Sequence, residues 1–464
     1  MTAAKQHAAE IVRTLRERAH QAYFAGGCVR DLLLNREPAD YDVATDATPQ
    51  QVMQIFPQTY AVGEQFGVVL VPPAENDGET GVLAGQSERS ERSKQTAEVA
   101  TFRADVSYSD GRHPDEVRFT KYPQEDAQRR DFTVNGMMLD PATNEILDFV
   151  GGQDDLKKGI IRAIGDPNRR FEEDKLRMLR AVRFAARFNY QIDPATLNAI
   201  QNLAPKIHQV SAERVREELT KMLTEGQARR AFELLDQTKL LPEVLPEIAA
   251  MKGVAQPPQY HPEGDVFIHT LLLLEKLRPS PDPNSDSISK TLAWGALLHD
   301  VGKPPTFRIA PDRIRFDGHV DVGVKIAAEI LRRLRFSNYE TDQILALVDN
   351  HMRFGDVQRM KQSTLKKFLR LPAFDEHLEL HRIDCLSSHG QLDAYEYSQQ
   401  QLRTMPPEAI RPTPLITGRD LIEAGYKPGP RFKEVLAAVE DAQLEGRLTS
   451  REEAMEFVQR DFPV

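Results

Sequence analysis

Residues 26–42 combine a glycine pair, Gly26-Gly27, with two carboxylates one residue apart, Asp40 and Asp42. Glycine lets backbone N–H groups approach a polyphosphate closely, and a helix N-terminus adds a favourable dipole. Cys28-Val29-Arg30-Asp31-Leu32-Leu33-Leu34 is amphipathic and predicts a helical turn directly after the glycines. On a strand, residues i and i+2 face the same side. Asp40 and Asp42 would then present both carboxylates to a hard cation such as Mg²⁺, which keeps the rest of its shell for water and phosphate. The chemistry this arrangement suits is transfer of a nucleotide.

Further along, Arg129-Arg130-Asp131 sets two guanidiniums beside a carboxylate. Arginine suits bidentate phosphate contacts, and a carboxylate suits ribose hydroxyls. Glu173-Asp174-x-x-Arg177 falls in a predicted helix, with 174 and 177 one turn apart on one face. An acceptor and a donor so placed can read the Watson–Crick edge of a base. Taken alone, the same spacing is an ordinary surface salt bridge worth a few tenths of a kcal/mol. Arg30-Asp31 reads as a local ion pair shaping the glycine turn, or as a direct phosphate contact. A separate series follows: His269, His299-Asp300, His319, His351 and Asp384. Imidazole suits transition metals such as Mn, Fe, Co or Ni better than Mg. His261, His377, His381 and His389 have no place in that series and are expected to pack or face solvent.

The positioning elements must come from a chain of 464 residues, long enough for several domains. Its 40% hydrophobic and 28% charged content is that of an ordinary globular protein. No segment approaches the ~20 apolar residues of a membrane span, and Met1-Thr2-Ala3-Ala4-Lys5 opens no apolar signal core. Two cysteines in different regions, Cys28 and Cys385, make no disulfide framework, so a cytoplasmic location is expected. Net charge is −10, so a nucleic-acid partner requires a locally basic surface.

Three more blocks complete a pattern: Glu98-Val99-Ala100-Thr101-Phe102-Arg103 leading to Tyr108–Pro114, Arg129–Gly136, and Arg170–Phe184. In this order they resemble the bacterial class II tRNA nucleotidyltransferase family, which comprises CCA-adding enzymes and poly(A) polymerase relatives. The resemblance covers roughly the first half of the chain, more loosely beyond. It implies catalytic, Mg²⁺-binding Asp40 and Asp42, with Glu98 as a third carboxylate. It implies nucleotide binding by Gly26, Gly27, Arg30, Arg130, Asp131 and Asn135, and choice of CTP or ATP by Asp174 and Arg177 without a nucleic-acid template. Tyr108–Pro114 corresponds to a flexible element of the family, and Ser211–Leu219 to its last motif, expected to be structural. Gly136 stands where the family usually has alanine. The implied partners are the tRNA 3′ end, CTP and ATP, with no DNA and no membrane.

The histidine series resembles the HD phosphohydrolase superfamily. That implies a divalent transition metal held by His269, His299, Asp300 and Asp384, with His319 and His351 matching two-metal variants. Metal-activated water would attack a phosphoester, for example a 2′,3′-cyclic or terminal phosphate on damaged RNA. Rival readings are a poly(A) polymerase, an enzyme adding only the terminal A, and an HD phosphohydrolase whose head senses nucleotides. Gly63-Glu64-Gln65-Phe66-Gly67 lacks the basic stretch of the poly(A) branch, and a sensor needs no catalytic carboxylates.

The expected fold is multidomain α+β. A polymerase-beta-like α/β head spans 1–155, an all-α neck and RNA-binding body 156–258, an all-α HD domain 259–400 and a helical tail 401–464. Within it, Gln21–Phe24, Tyr41–Ala44, Val99–Arg103 and Val117–Phe119 read as strands, and 74–96 as an exposed insertion. Phe171–Phe188, Pro194–Leu203, Ala212–Leu223 and Ala228–Thr238 carry apolar residues at helical spacing, and the tail reads as two short helices.

Overall fold

The computed structural model describes residues 2–60, 67–73, 96–108, 114–279 and 287–463, with backbone alone at 105–108 and 114–116. The chain forms two compact units: Met1–Met222 with Arg230–Pro246, and Leu223–Arg229 with Glu247–Val464. Among the described residues, no helix is long and apolar enough to cross a membrane.

The first unit is built on a six-stranded sheet of order β3-β4-β2-β1-β7-β8. Its strands are β1 (Ala22–Ala25), β2 (Val43–Thr45), β3 (Val68–Val71), β4 (Ala97–Thr101), β7 (Met138–Leu139) and β8 (Ile146–Leu147); β5 (Arg103–Tyr108) and β6 (Pro114–Phe119) pair separately. The helix Ala3–Glu17 buries Ala8, Ile11, Val12 and Leu15, the helical spacing of its apolar residues. Strands β1 and β2 are antiparallel, while β2 and β4 run parallel with Val43 opposite Val99. Residues 63–66 of the Gly63–Gly67 stretch, 74–95 of the insertion and 109–113 of the Tyr108–Pro114 element fall outside the described residues.

Two expectations for this unit need correction. Asp40 and Asp42 precede β2 rather than lying on it. The Asp42 carbonyl already accepts the Ala25 N–H at 3.0 Å, but the regular ladder starts at Val43. Alternation survives, because Tyr41 is buried against Phe24 while Asp40 and Asp42 turn the other way into one cavity. Second, Phe171–Phe188 is two helices, Pro167–Glu173 and Leu176–Phe188. Asp174 breaks them with an extended backbone (φ −146°, ψ 107°), and its carboxylate accepts the Leu176 N–H at 3.0 Å. A short acidic side chain that satisfies a free N–H favours a new helix start over continuation.

In the second unit, the helices Val266–Glu275 and Lys290–Leu298 are apolar nearly all round and form its buried centre, with Trp294 fully enclosed. Around them run His319–Arg333, Asn338–Asn350 and Phe374–Ser387. A third correction concerns the tail: beyond Leu415 it has three helices, Gly418–Glu423, Pro430–Leu444 and Arg451–Asp461, rather than two, and a capping box at Thr417 and Asp420 starts the first. Gly302 backs directly onto the His319–Arg333 helix: a Cβ there would lie 2.0 Å from the His319 carbonyl oxygen and 2.6 Å from the Gly323 nitrogen. Gly302→Ala is therefore expected to destabilise this unit by about 1–3 kcal/mol or more, because backbone rather than a flexible side chain must yield. Urea unfolding of the variant checks this; an unchanged midpoint would mean that the two segments separate freely.

Candidate functional site

In the first unit, Gly26 ends β1 at φ +76°, where its Cβ would lie 2.8 Å from Arg130 Nη1. Only glycine suits both the left-handed backbone and that approach. The turn opens a cavity of about 560 Å³. Gly26, Gly27, Asp40 and Asp42 line it, together with Asp174, Arg177, Arg180 and Arg214. Arg30, Arg130, Asp131 and Asn135 line it as well, so the structure gathers every expected nucleotide-binding residue around one space.

Burial, then the neighbouring charges of Asp40 and Glu98, push the Asp42 carboxyl up to about 7, against the pull of Arg130. Burial and Asp40 likewise raise Glu98. Glu98 lies on β4 and is exposed, outside the cavity lining, yet its charge is felt at Asp42. Mutually repelling carboxylates with oxygen donors only fit a hard divalent cation, which would relieve their repulsion.

The cations are held in forks. Asp126, 1% exposed, pairs with Arg129 at 2.6 Å and Arg130 at 2.9 Å from one helical turn. Burial opposes the charge of Asp131, but Arg180, bonded at 2.6 and 2.9 Å, holds it down to about 2. Asp131 Oδ1 also accepts from Asn135 Nδ2 at 3.1 Å. Arg30 is buried; it donates to Asp31 at 2.9 Å and to Asn135 Oδ1 at 2.6 Å. Both sequence options for Arg30 thus stay compatible with its position, with the Asp31 ion pair formed.

Asp174 and Arg177 both face the cavity but do not pair with each other. Asp174 takes a bond from Arg214 at 2.8 Å, in the helix Ala212–Thr224. Arg177 pairs with Glu173 at 2.9 Å and donates to the Arg170 carbonyl at 3.1 Å. Sequence reasoning missed Asp126, Arg180, Arg183 and Arg214 as lining or supporting residues. The spacing of Arg177, Arg180 and Arg183, three apart on one helix, was the available signal for two of them. Gly136 is tightly enclosed: a Cβ would lie 2.7 Å from Val150 Cγ2 and 3.0 Å from Ile164 Cδ1.

The second unit brings together all six residues of the histidine series. His269 Nε2 lies 3.1 Å from Asp384 Oδ1, and His299 Nε2 lies 3.2 Å from Asp300 Oδ2. His319 Nε2 and His351 Nε2 are 3.4 Å apart, each 3.8 Å from Asp300 Oδ1. The Asp300 carboxylate thus sits between two histidine pairs. Carbonyls fix three rings through Nδ1: Ala296 for His299 at 2.9 Å, Phe316 for His319 at 3.0 Å and Val348 for His351 at 2.7 Å. Glu263 Oε1 does the same for His269 at 2.7 Å. Such contacts hold the proton on Nδ1 and aim the Nε2 lone pair inward. The buried Nε2 atoms of His269 and His299 have no hydrogen-bond partner. Orphaned nitrogens beside carboxylate oxygens are a donor set that fits a transition metal.

Burial pulls His351 down to about 4, so it stands neutral. Burial also works against a charge on His269, yet Asp384 and Glu263 raise it to about 9, so without a cation the ring is charged and the Nε2 proton is the one a bound metal would displace. Burial disfavours ionised Asp300, but His299 and the Lys303 ammonium, 2.7 Å away, hold it well below the usual carboxylate range. His261 and His389, given no role from sequence, line the cavity of about 410 Å³ above this cluster. His377 and His381 pack, the latter stacked on Phe354 at 4.4 Å.

Three families match successive parts of the chain: the poly A polymerase head domain over residues 22–162, the RNA and SrmB-binding site of polymerase A over 189–252, and tRNA nucleotidyltransferase domain 2 over 319–458. The CCA-adding enzyme of Bacillus subtilis is 29% identical over 447 residues, 96% of this chain and 95% of that one. The CCA-adding enzyme of Lactobacillus helveticus is 36% identical over 275 residues, 59% of this chain and 64% of its own. Among solved structures, the Bacillus stearothermophilus CCA-adding enzyme in complex with CTP matches with TM-score 0.71 and 26% identity, over 99% of this chain and 98% of that chain. A Thermotoga maritima CCA-adding enzyme complexed with tRNA, at TM-score 0.55 and 18% identity, shares the fold. The chain thus carries a poly A polymerase head domain and matches to tRNA nucleotidyltransferase domains, and it is similar to CCA-adding enzymes over nearly its whole length.

Proposed function

We propose that the protein adds the 3′-terminal CCA to tRNA from CTP and ATP, without a nucleic-acid template and with release of pyrophosphate. The observation that carries this reading is the single cavity lined both by Asp40 and Asp42 and by Asp174 and Arg177. A site that holds a triphosphate and also reads its base needs both sets of groups around one space. The relatives named CCA-adding enzymes, and the neighbour in complex with CTP, support it.

Asp40 and Asp42 would hold divalent cations, with Glu98 adding charge beside them. When bound, the cations supply Lewis-acid polarisation of the α-phosphate and activation of the primer hydroxyl. Gly26 and Gly27 give the phosphates close backbone access, and Arg130, anchored by Asp126, adds a fixed positive charge. Asp131 and Asn135 face the ribose. Asp174 accepts from, and Arg177 donates to, the Watson–Crick edge. The division 1–155, 156–258, 259–400 and 401–464 belongs to the same proposal, as does a cytoplasmic location, favoured by two free buried cysteines.

The second unit we infer to be an HD-type site hydrolysing a phosphoester. The six converging ligands and two orphaned Nε2 atoms support Mn, Fe, Co or Ni over Mg. His269, His299, Asp300 and Asp384 would hold one ion, with His319 and His351 on the far side of Asp300 for a second.

The test supplies purified protein with tRNA lacking its 3′ end and labelled CTP and ATP, separately and together. CTP alone should add two residues, both together three, and ATP alone none. Addition of A only to a CC-ended tRNA would instead assign an A-adding enzyme, and long A tails a poly(A) polymerase. Asp174→Ala or Arg177→Ala should blur CTP/ATP discrimination by about 10–100-fold in the ratio of kcat/KM, as loss of one or two buried hydrogen bonds to the base implies. Triphosphate affinity should change far less. Discrimination surviving both substitutions would assign base choice elsewhere.

A further inference from the structure

Arg30 sits on the helix Gly27–Leu33, directly behind the glycine turn, yet its guanidinium is 4% exposed and its bonds lead away from that turn. One branch goes to Asp31. The other, Nη1 to Asn135 Oδ1 at 2.6 Å, opens a chain of buried bonds. Asn135 Nδ2 donates to Asp131 Oδ1 at 3.1 Å, and Asp131 Oδ2 receives Arg180 at 2.6 and 2.9 Å. Arg180 belongs to the helix Leu176–Phe188, whose first turn carries Arg177. Arg30 also touches that helix directly, 5.2 Å from the Phe184 ring centroid and 4.5 Å from that of Phe188. Arg180 and Arg183 stack on Phe184 at 5.3 and 4.3 Å.

We propose that Arg30 is a positioning residue for base choice: the chain Arg30–Asn135–Asp131–Arg180 fixes the base-reading helix relative to the triphosphate-binding turn. The inference rests on the proposed function of this cavity. A purine and a pyrimidine differ in how far their Watson–Crick edges stand from the phosphates. Telling them apart therefore needs a set distance between the turn that anchors the phosphates and Arg177. Apolar packing seats the Leu176–Phe188 helix, with Phe184 against Phe132 at 5.9 Å between ring centroids, and the polar chain ties that helix to the one behind the glycine turn. Its links are satisfied, buried from Arg30 to Asp131 and part-buried at Arg180, and bonds so shielded are stiff and costly to break. Arg30 is committed to it, with all three of its nitrogens engaged: Nε and Nη2 on Asp31 Oδ1 at 2.9 and 2.8 Å, and Nη1 on Asn135 Oδ1 at 2.6 Å.

The test measures kcat/KM for CTP and for ATP on matched tRNA ends, with Arg30→Lys, Asn135→Asp and the double variant. Lysine keeps the charge beside Asp31 but loses the Nη1 bond to Asn135. Aspartate still accepts from Arg30 but cannot donate to Asp131. Each single variant should move the CTP/ATP selectivity ratio by about tenfold, within the range of coupling through one network. The double variant should add nothing, because the same chain is already cut. If both rates fall together at an unchanged ratio, Arg30 only supports the turn or the phosphates, and the proposal is overturned. Additive shifts would overturn it too, since the links would then be independent. Should Arg30→Lys melt at a much lower temperature, Asn135→Asp alone carries the comparison. A wild type that discriminates normally while the variants do not move leaves the proposed function intact; a wild type that incorporates neither nucleotide overturns both.

Discussion

Asp42→Asn should abolish nucleotide incorporation from both CTP and ATP, while the protein remains folded. The substitution keeps side-chain volume and removes one anionic ligand from a site that must gather positive charge around a phosphoryl group. Losing several kcal/mol of transition-state stabilisation lowers the rate by about 10³-fold or more. Stability should not fall. The Asp42 carboxyl is pushed up to about 7, first by burial and then by Asp40 and Glu98. A carboxyl raised above its unfolded value costs folding free energy as pH rises from the unfolded to the folded pKa, and the cost persists above it. The neutral amide removes that cost, so at pH 8 and without metal the variant should melt no lower than wild type. Incorporation at wild-type rates would show that Asp42 holds no catalytic ion. A large drop in melting temperature would make its role structural.

The second large effect belongs to the other unit. Asp300→Ala should abolish phosphoester hydrolysis assayed with Ni²⁺, Mn²⁺ or Co²⁺ on 2′,3′-cyclic nucleotides and on a generic phosphoester. Asp300 lies between the His269/His299 and His319/His351 pairs, so its loss opens both halves of the cluster at once. CCA addition should continue, because no residue of the nucleotide cavity belongs to this unit. Hydrolysis persisting in the variant would locate the activity elsewhere. No hydrolysis by wild type with any metal would make the cluster a structural remnant. Loss of CCA addition in the variant would mean that the two sites depend on each other.

The site was legible to the extent that its residues are neighbours in sequence. Gly26-Gly27, Asp40 and Asp42 sit close along the chain, and the need for small backbone and paired carboxylates is written in residue type. Asp174 and Arg177 were legible as a pair, but their actual partners were not. Arg214 reaches Asp174 across 40 positions, and Arg180 reaches Asp131 across 49. Such partners are set by how helices pack, which no local period reveals. The helix break at Asp174 was hidden for a related reason: apolar spacing runs through 171–188 without interruption, and only the carboxylate's bond to Leu176 N–H marks the new start. In the second unit the six clustered residues were singled out by type and order. Glu263, which orients His269, was missed because a lone glutamate six residues before a histidine carries no signal of its own.

If one cavity holds the triphosphate near Asp40 and Asp42 and reads the base with Asp174 and Arg177, a crystal structure of the protein with CTP and Mg²⁺ will show both. The phosphates should lie beside Gly26-Gly27 and Arg130, the metal on Asp40 and Asp42, and the cytosine edge within hydrogen-bond distance of Asp174 and Arg177. CTP bound with its base away from that pair, or with its phosphates away from the two aspartates, would contradict it.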